Sequence, residues 1–193
     1  MRESAELDRT EFDIQETAVD RTVPPETAPN SPSRTRTVSW ADPTATAAGA
    51  RGRSGREFLT AMQSGELPPP PVMTLTGTEL VEIGDGFAAF ALHPAEYHYN
   101  PIGSVHGGIV AMLLDSAAGA AVQTTLPDGV GYTSLDLSIK YLRAVRADTG
   151  LVTATGTVVH SGRRTALAHA ELRDVGGRLL AQATSSCVIL RPE

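Results

Sequence analysis

The residues able to do chemistry gather in one stretch, NPIGSVHGGIVAMLLDSAAGAAVQ at 100–123. Gly107 and Gly108 open a long run with no proline and almost no polar side chain. The first N–H groups of a helix have no intrahelical partner and point outward, so they can receive negative charge. With no Cβ at either glycine, a substrate can approach those donors closely. Asp115 is the one ionisable group inside the run. A carboxylate in such surroundings is costly unless it is paired or put to use. Helix rise puts Asp115 roughly 12 Å from Gly107 along the axis, too far for both to act on one carbonyl within one chain. Asn100 can offer an amide, His106 precedes the glycines, and Ser134 starts the strand after the run. Arg163 and Arg164 set two guanidinium groups at a turn after Gly162, a pairing that suits phosphate. His93, His98, His160 and His169 have no mutual metal spacing, so no metal is expected.

These groups need a scaffold. The apolar residues from Ile109 to Val122 lie on every side of a helical wheel, which predicts a buried central helix. The run is too short, and too interrupted by Asp115, Ser116 and Gly119, to span a bilayer. A buried helix needs a sheet around it, and the rest of the chain reads as that sheet. Residues 74–83 and 87–92 flank a Gly84-Asp85-Gly86 turn as a hairpin. After the helix, Leu135, Leu137, Ile139 and Tyr141 alternate with Asp136, Ser138 and Lys140, the pattern of a half-buried strand. Strands follow at 151–160, at 165–173, where Ala166, Ala168, Ala170 and Leu172 alternate, and at 179–190 after Gly176-Gly177. The order β-β-α-β-β-β-β with short turns predicts an α+β fold with an antiparallel sheet.

Residues 1–50 carry nine acidic and five basic side chains among many Thr, Pro, Ser and Ala. That composition predicts a disordered tail. SGRE at 54–57 fits a capping box ahead of Phe58, Leu59 and Met62, predicting a short amphipathic helix over 55–64. Prolines at 68–71 predict a stiff extended linker. The domains expected are thus a tail at 1–50, a short helix with a Pro-rich linker at 51–72, and the main domain at 73–193.

The apolar fraction of 41% and mean hydropathy of −0.09 suit a globular core. A net charge of −6 argues against a nucleic-acid partner, which needs a basic face. Cys187 is the single cysteine, which excludes an internal disulfide and a cysteine-rich zinc site. The charged first residues contain no apolar signal region. No membrane partner and a cytoplasmic location are expected.

HYNPIGSVHGGIVAMLLDSA, TSLDLSIKYLR, HSGRRTA and GRLLAQATSSCVIL together resemble the PaaI-like (phenylacetate-pathway) branch of the hot-dog acyl-CoA thioesterases. The spacing N-x5-HGG-x6-D carries most of the specificity. The resemblance implies a hot-dog fold, a curled antiparallel β-sheet wrapped around one long central helix. It implies hydrolysis of an acyl-CoA to free acid and CoA, without a cofactor. The Gly107 N–H would bind the thioester oxygen, with Gly108 in support. Asp115 would act as general base on water or as nucleophile, facing the glycines of a second subunit across a dimer interface. Asn100 would position water or carbonyl, Ser134 would hold the attacking water, and His106 would stand beside the oxyanion glycine. Arg163 and Arg164 would take the phosphates of CoA. A homodimer is implied as the minimal unit, and a homotetramer as the assembly. Some relatives carry a hydroxyl one turn after the acid; Gly119 stands there in this chain, which rules out a mechanism relying on a side chain at that position.

Two other classes compete. A non-catalytic acyl-CoA-binding or regulatory hot-dog protein would have no need of an acid inside the helix, so Asp115 favours the enzyme. A hot-dog hydratase or dehydratase needs a catalytic His paired with an acid in a different loop-helix pattern, which this sequence lacks.

Overall fold

The computed structural model describes residues 33–192, and the segment from Val38 onward forms one unit. Three short helices come first: α1 (Pro43–Ala48), α2 (Gly55–Gln63) and α3 (Pro71–Thr76). Strands β1 (Thr78–Gly84) and β2 (Phe87–Leu92) follow, then the long helix α4 (Gly107–Gln123). The chain ends in β3 (Gly131–Tyr141), β4 (Val152–Ser161), β5 (Thr165–Asp174) and β6 (Leu179–Leu190). All neighbouring strands are antiparallel, in the order β1-β2-β4-β5-β6-β3. β3 therefore crosses to the far edge of the sheet, and α4 lies against one face.

The expected alternation in β5 is present: Ala166, Ala168, Ala170 and Leu172 are buried. Small side chains on this face let the helix backbone come close. At Gly156 of β4 a Cβ would stand 2.0 Å from the Ala117 carbonyl oxygen. Glycine in a strand interior marks such a close approach. The turn after α4 is joined to the start of α2 by a hydrogen bond from the Gly55 N–H to the Leu126 carbonyl, 2.9 Å. The Ser54–Glu57 capping box forms as expected and starts α2.

Three expectations need correcting. Residues 43–48, inside the stretch read as a disordered tail, form α1; residues 1–32 lie outside the described residues. The sequence reason is local: Asp42 caps the helix through the Thr44 N–H, and Pro43 stands in the first turn. The Thr46 hydroxyl then donates to the Pro68 carbonyl, 2.9 Å, and fixes the helix to the linker. Second, the linker does not run extended into a strand from 74. Pro71 begins α3, since proline suits the first turn of a helix, and Gly77 at φ 75° ends it, so β1 starts at Thr78. Third, α4 is not buried all round. Its stretch from Ala117 to Val122 is, with Ala117, Ala118, Ala121 and Val122 fully covered, as Leu113 and Leu114 are before it. Its first half leaves Gly108 exposed and Ala111, Met112 and Asp115 half-buried.

Candidate active site

His106 caps α4. Its Nδ1 accepts from the Gly108 N–H at 2.8 Å, and its carbonyl accepts from Ile109 and Val110 at 2.9 and 3.4 Å. The first donors of the helix are thereby occupied, except one. The Gly107 N–H makes no hydrogen bond among the described residues. Neither Gly107 nor Gly108 has a positive φ, so glycine is present here for space. A Cβ on Gly108 would come within 3.0 Å of His106 Nδ1, and one on Gly107 would meet the Tyr141 ring at 3.4 Å. The Tyr141 hydroxyl donates to the Gly107 carbonyl, 3.1 Å.

The loop before the glycines is held by Asn100. Its Oδ1 accepts from the Ile102 and Ser104 N–H groups at 3.1 and 3.2 Å, and its Nδ2 donates to the Ser104 hydroxyl at 3.1 Å. An amide nitrogen carries two hydrogens, so a second donor remains. Asn100, Gly107, Val110 and Tyr141 line a cavity of about 290 Å³ that continues past Leu142 to Arg143.

Asp115 and Ser134 meet on a different part of α4. The Ser134 hydroxyl donates to Asp115 Oδ1, 2.9 Å. A β-bulge produces this contact. Ser134 pairs with Cys187 of β6, but the next pair is Asp136 with Ser186, so Leu135 is an inserted residue. The insertion changes which residues face inward. Ser134 opposes Cys187, which is fully buried, and beyond the bulge Leu137 opposes Ser185, also fully buried. The regular alternation expected from Leu135 to Tyr141 is therefore broken at its start, and Leu135 is 60% exposed. Two bonds pin the bulge. The Ser185 hydroxyl donates to the Asp136 carbonyl at 2.9 Å, and the Ser186 N–H donates to Asp136 Oδ1 at 3.2 Å.

Beneath the acid lies Tyr132, on the same side of β3 as Ser134. Its hydroxyl fills the space that a Cβ on Gly119 would take, 2.4 Å from that point. A hydroxyl is thus present one turn after Asp115, brought by residue 132 instead of residue 119. Burial, with Cys187 and Asp115 adding to it, pushes the Tyr132 phenol above its ordinary range. Burial likewise pushes the Cys187 thiol up. Sequence reasoning missed Tyr132 and Tyr141. The spacing of two between Tyr132 and Ser134 was the available signal for the first.

Two groups of predicted residues emerge: Gly107, Asn100 and His106 at the start of α4, and Asp115 with Ser134 further along. Gly108 belongs to both, since it also lines an open depression with Met112, Asp115, Ser134 and Leu135. Arg163 and Arg164 join neither group. They lie exposed in the β4–β5 turn, where their carbonyls accept from Arg191 Nε and the Ile189 N–H. The neighbouring Ser161 hydroxyl is 3.4 Å from that of Thr125, beyond the C-terminal end of α4.

Residues 102–181, which carry the glycine pair, the acid and Ser134, match the model of the family described as "Thioesterase superfamily". The chain is 32% identical over 114 residues to 1,4-dihydroxy-2-naphthoyl-CoA hydrolase of Listeria monocytogenes, covering 58% of this chain and 89% of that one. The chain belongs to the thioesterase superfamily. Solved structures agree. A phenylacetic acid degradation-related protein from Ralstonia eutropha superposes with a TM-score of 0.62 at 29% identity, covering 67% of this thioesterase and 98% of the other chain. The PaaI protein of Escherichia coli superposes at 0.61 with 22% identity, covering 71% and 95%. The expected PaaI-like hot-dog fold is borne out, and by family this thioesterase is a thioester hydrolase. No helix among the described residues is long and apolar enough to cross a membrane.

Proposed function

We propose that this thioesterase hydrolyses acyl-CoA to free acid and CoA at sites shared by two chains. One observation carries the reading: the chemistry is divided. Gly107, whose N–H makes no hydrogen bond among the described residues, lines one cavity, and Asp115 with Ser134 lines another depression, roughly 12 Å further along α4. Both lie beside β3, one of the two edge strands of the sheet. That edge presents Leu135 at 60% and Tyr141 at 55% exposure. An edge with unpaired backbone groups is a template for another strand, and a twofold contact there is self-complementary. It would set Asp115 of one chain against Gly107 of the next. Two such dimers would form a tetramer. A CoA ester as substrate fits a cytoplasmic site of action.

In this scheme Ser134 holds Asp115 Oδ1, which leaves Oδ2 to accept a proton from water. The water oxygen bonds to the thioester carbon as that proton leaves. The carbonyl oxygen becomes an oxyanion and accepts a hydrogen bond from the facing Gly107 N–H, a donor worth on the order of 10²–10³ in rate. Collapse breaks the carbon–sulfur bond, and the departing CoA thiolate takes the proton from Asp115. Asn100 offers its spare Nδ2 hydrogen to the water or the carbonyl. His106 acts indirectly: by occupying the Gly108 N–H it leaves Gly107 as the free donor.

The test is a panel of aromatic and aliphatic acyl-CoA thioesters, including the naphthoyl ester that names the Listeria relative, assayed for free thiol. At least one should be cleaved with kcat/KM of about 10⁴ M⁻¹s⁻¹ or more. Absence of thiol release across the panel would sink the reading.

A further inference from the structure

Ser134 and Tyr141 of β3 are separated by an odd number of positions. In a regular strand side chains alternate between faces, so such a pair points to opposite sides of the sheet. Both nevertheless reach α4. Ser134 donates to Asp115 at 2.9 Å, and Tyr141 donates to the Gly107 carbonyl at 3.1 Å. The bulge resolves the conflict. Leu135 is the inserted residue, and it reverses the facing of every position after it. Leu137, Ile139 and Tyr141 then pair with Ser185, Ala183 and Ala181, all buried, on the face that carries Ser134. We propose that Tyr141 is a positioning residue for the oxyanion donor: its hydroxyl holds the Gly107–Gly108 peptide so that the free Gly107 N–H keeps one direction. The inference rests on the reading of Gly107 given above. One strand thereby sets both halves of the chemistry, the acid through Ser134 and the donor through Tyr141.

Gly107 is where the chain needs such a clamp. Glycine leaves room for a substrate, but its backbone angles range more widely than those of any other residue. A donor that swings loses the preorganisation through which an oxyanion donor acts. Gly107 escapes this because the peptide planes on both sides of its Cα are held. In the peptide after it, the Gly108 N–H donates to His106 Nδ1 at 2.8 Å, and the carbonyl accepts from Tyr141 at 3.1 Å. In the peptide before it, the His106 carbonyl accepts from the Ile109 N–H at 2.9 Å. His106 is itself fixed, since its N–H donates to the His98 carbonyl at 2.7 Å.

His106 acts from within the helix cap, and Tyr141 acts from the sheet. Tyr141 is 55% exposed, yet its hydroxyl turns in towards the helix instead of out to solvent. Its ring stands 3.4 Å from the point that a Cβ on Gly107 would occupy, and it lines the same cavity as Asn100 and Gly107. A tyrosine serving only as an edge side chain has no need of that bond.

Tyr141→Phe removes one oxygen and keeps the ring. It should lower kcat about tenfold and leave KM within about twofold of wild type, because the donor is still present but no longer aimed. Infrared spectroscopy reads the aim itself. Asp115→Asn should bind an acyl-CoA without cleaving it, so the carbonyl stretch of a bound ester, isotope-labelled at its thioester carbon, can be recorded. With Tyr141 in place the band should be narrow and lie at lower frequency than in water, since a fixed donor polarises the carbonyl. Adding Tyr141→Phe should broaden the band and return it towards its position in water. A lowered Tm with an unmoved band would overturn the inference, because Tyr141 would then serve the fold alone. So would a kcat within about twofold of wild type, or a rise in KM that accounts for the whole loss in kcat/KM. If the wild type cleaves no ester of the panel, the hydrolase reading has failed, and labelled benzoyl-CoA on the wild type decides the inference alone. A band shifted in the wild type and released in Tyr141→Phe supports it; no bound ester, or the same band in both, overturns it.

Discussion

Ser134 of β3 donates its hydroxyl hydrogen to Asp115 of α4 across 2.9 Å. Neither partner is near the other in sequence, and a one-residue bulge at Leu135 is what turns Ser134 inward. The bond ties the acid to a fixed strand and selects which of its oxygens stays open. Asp115→Asn should abolish hydrolysis while the chain stays folded and still binds acyl-CoA. An amide keeps the shape and can still accept from Ser134, but it cannot take a proton from water. Ser134→Ala should lower kcat about tenfold to a hundredfold and leave KM near wild type. A kcat for Asp115→Asn within about threefold of wild type would remove the acid from the mechanism.

The bulge itself is testable. Ser185 is fully buried, and its hydroxyl bonds to the Asp136 carbonyl at 2.9 Å. Ser185→Ala leaves that carbonyl short of a partner, at a cost of about 1–3 kcal/mol in stability. Loosening the bulge should also lower kcat, by less than Ser134→Ala does. In a double-mutant cycle the two losses should not add, because both act through one contact. Additive losses in kcat would mean that Ser185 supports the fold without aiming Ser134.

The bulge also shows where reading the sequence stops. The glycine pair, the acid and the order of strands were legible, because each rests on local spacing. The alternation of Leu135, Leu137, Ile139 and Tyr141 is equally visible, yet its first member is the inserted residue. A bulge depends on what the partner strand offers, here Ser185 and Ser186, some fifty residues away. Tyr132 was hidden for the same reason. Its place beside Gly119 exists only once strand and helix are packed. α1 was read as disordered because composition averages over a long stretch, while one cap at Asp42 and one hydroxyl at Thr46 suffice to order six residues. The half-open face of α4 could not be read from a wheel that is apolar all round.

Packing between α4 and the sheet gives a stability prediction with a rank order. A Cβ at position 156 meets the Ala117 carbonyl oxygen at 2.0 Å, which is backbone. A Cβ at position 119 meets the Tyr132 hydroxyl at 2.4 Å, the end of a side chain. Overpacking typically costs about 1–3 kcal/mol. Gly119→Ala should fall in that range, and Gly156→Ala should exceed it, since the helix itself must shift. Urea midpoints measure both. Equal midpoints would show that the helix gives way as easily as the tyrosine.

Tyr132 carries a pH signature. Its folded-state phenol is raised above the ordinary 10.0 by burial, then by Cys187 and Asp115. A raised value means that the folded chain holds the proton more tightly than the unfolded chain. The resulting stability is complete below the unfolded value of 10.0 and is lost as pH climbs past it towards the folded value. Tyr132→Phe has no such proton. From about pH 8 to about pH 11 the wild-type Tm should therefore fall more steeply than that of the variant. Parallel falls would mean that the phenol is hydrated and the packing against Gly119 is looser than described.

The proposed division of the site between chains makes the strongest demand. Gly107 and Asp115 stand roughly 12 Å apart on one helix, so a monomer should be inactive and a twofold dimer should hold two equivalent sites. Gly107→Pro removes the free N–H. Gly107 is the first residue of α4, where proline is well tolerated. His106 before it already has φ −58° and ψ 135°, the region that a residue before proline prefers. The variant should therefore fold. Mixed with Asp115→Asn, it tests the geometry. Each homodimer should be inactive. In the mixed dimer one site inherits both defects and the other inherits neither. With random exchange half the dimers are mixed and half their sites are intact, so about a quarter of wild-type activity should return. No recovery from a folded, proven heterodimer would mean that the acid and the glycine act within one chain.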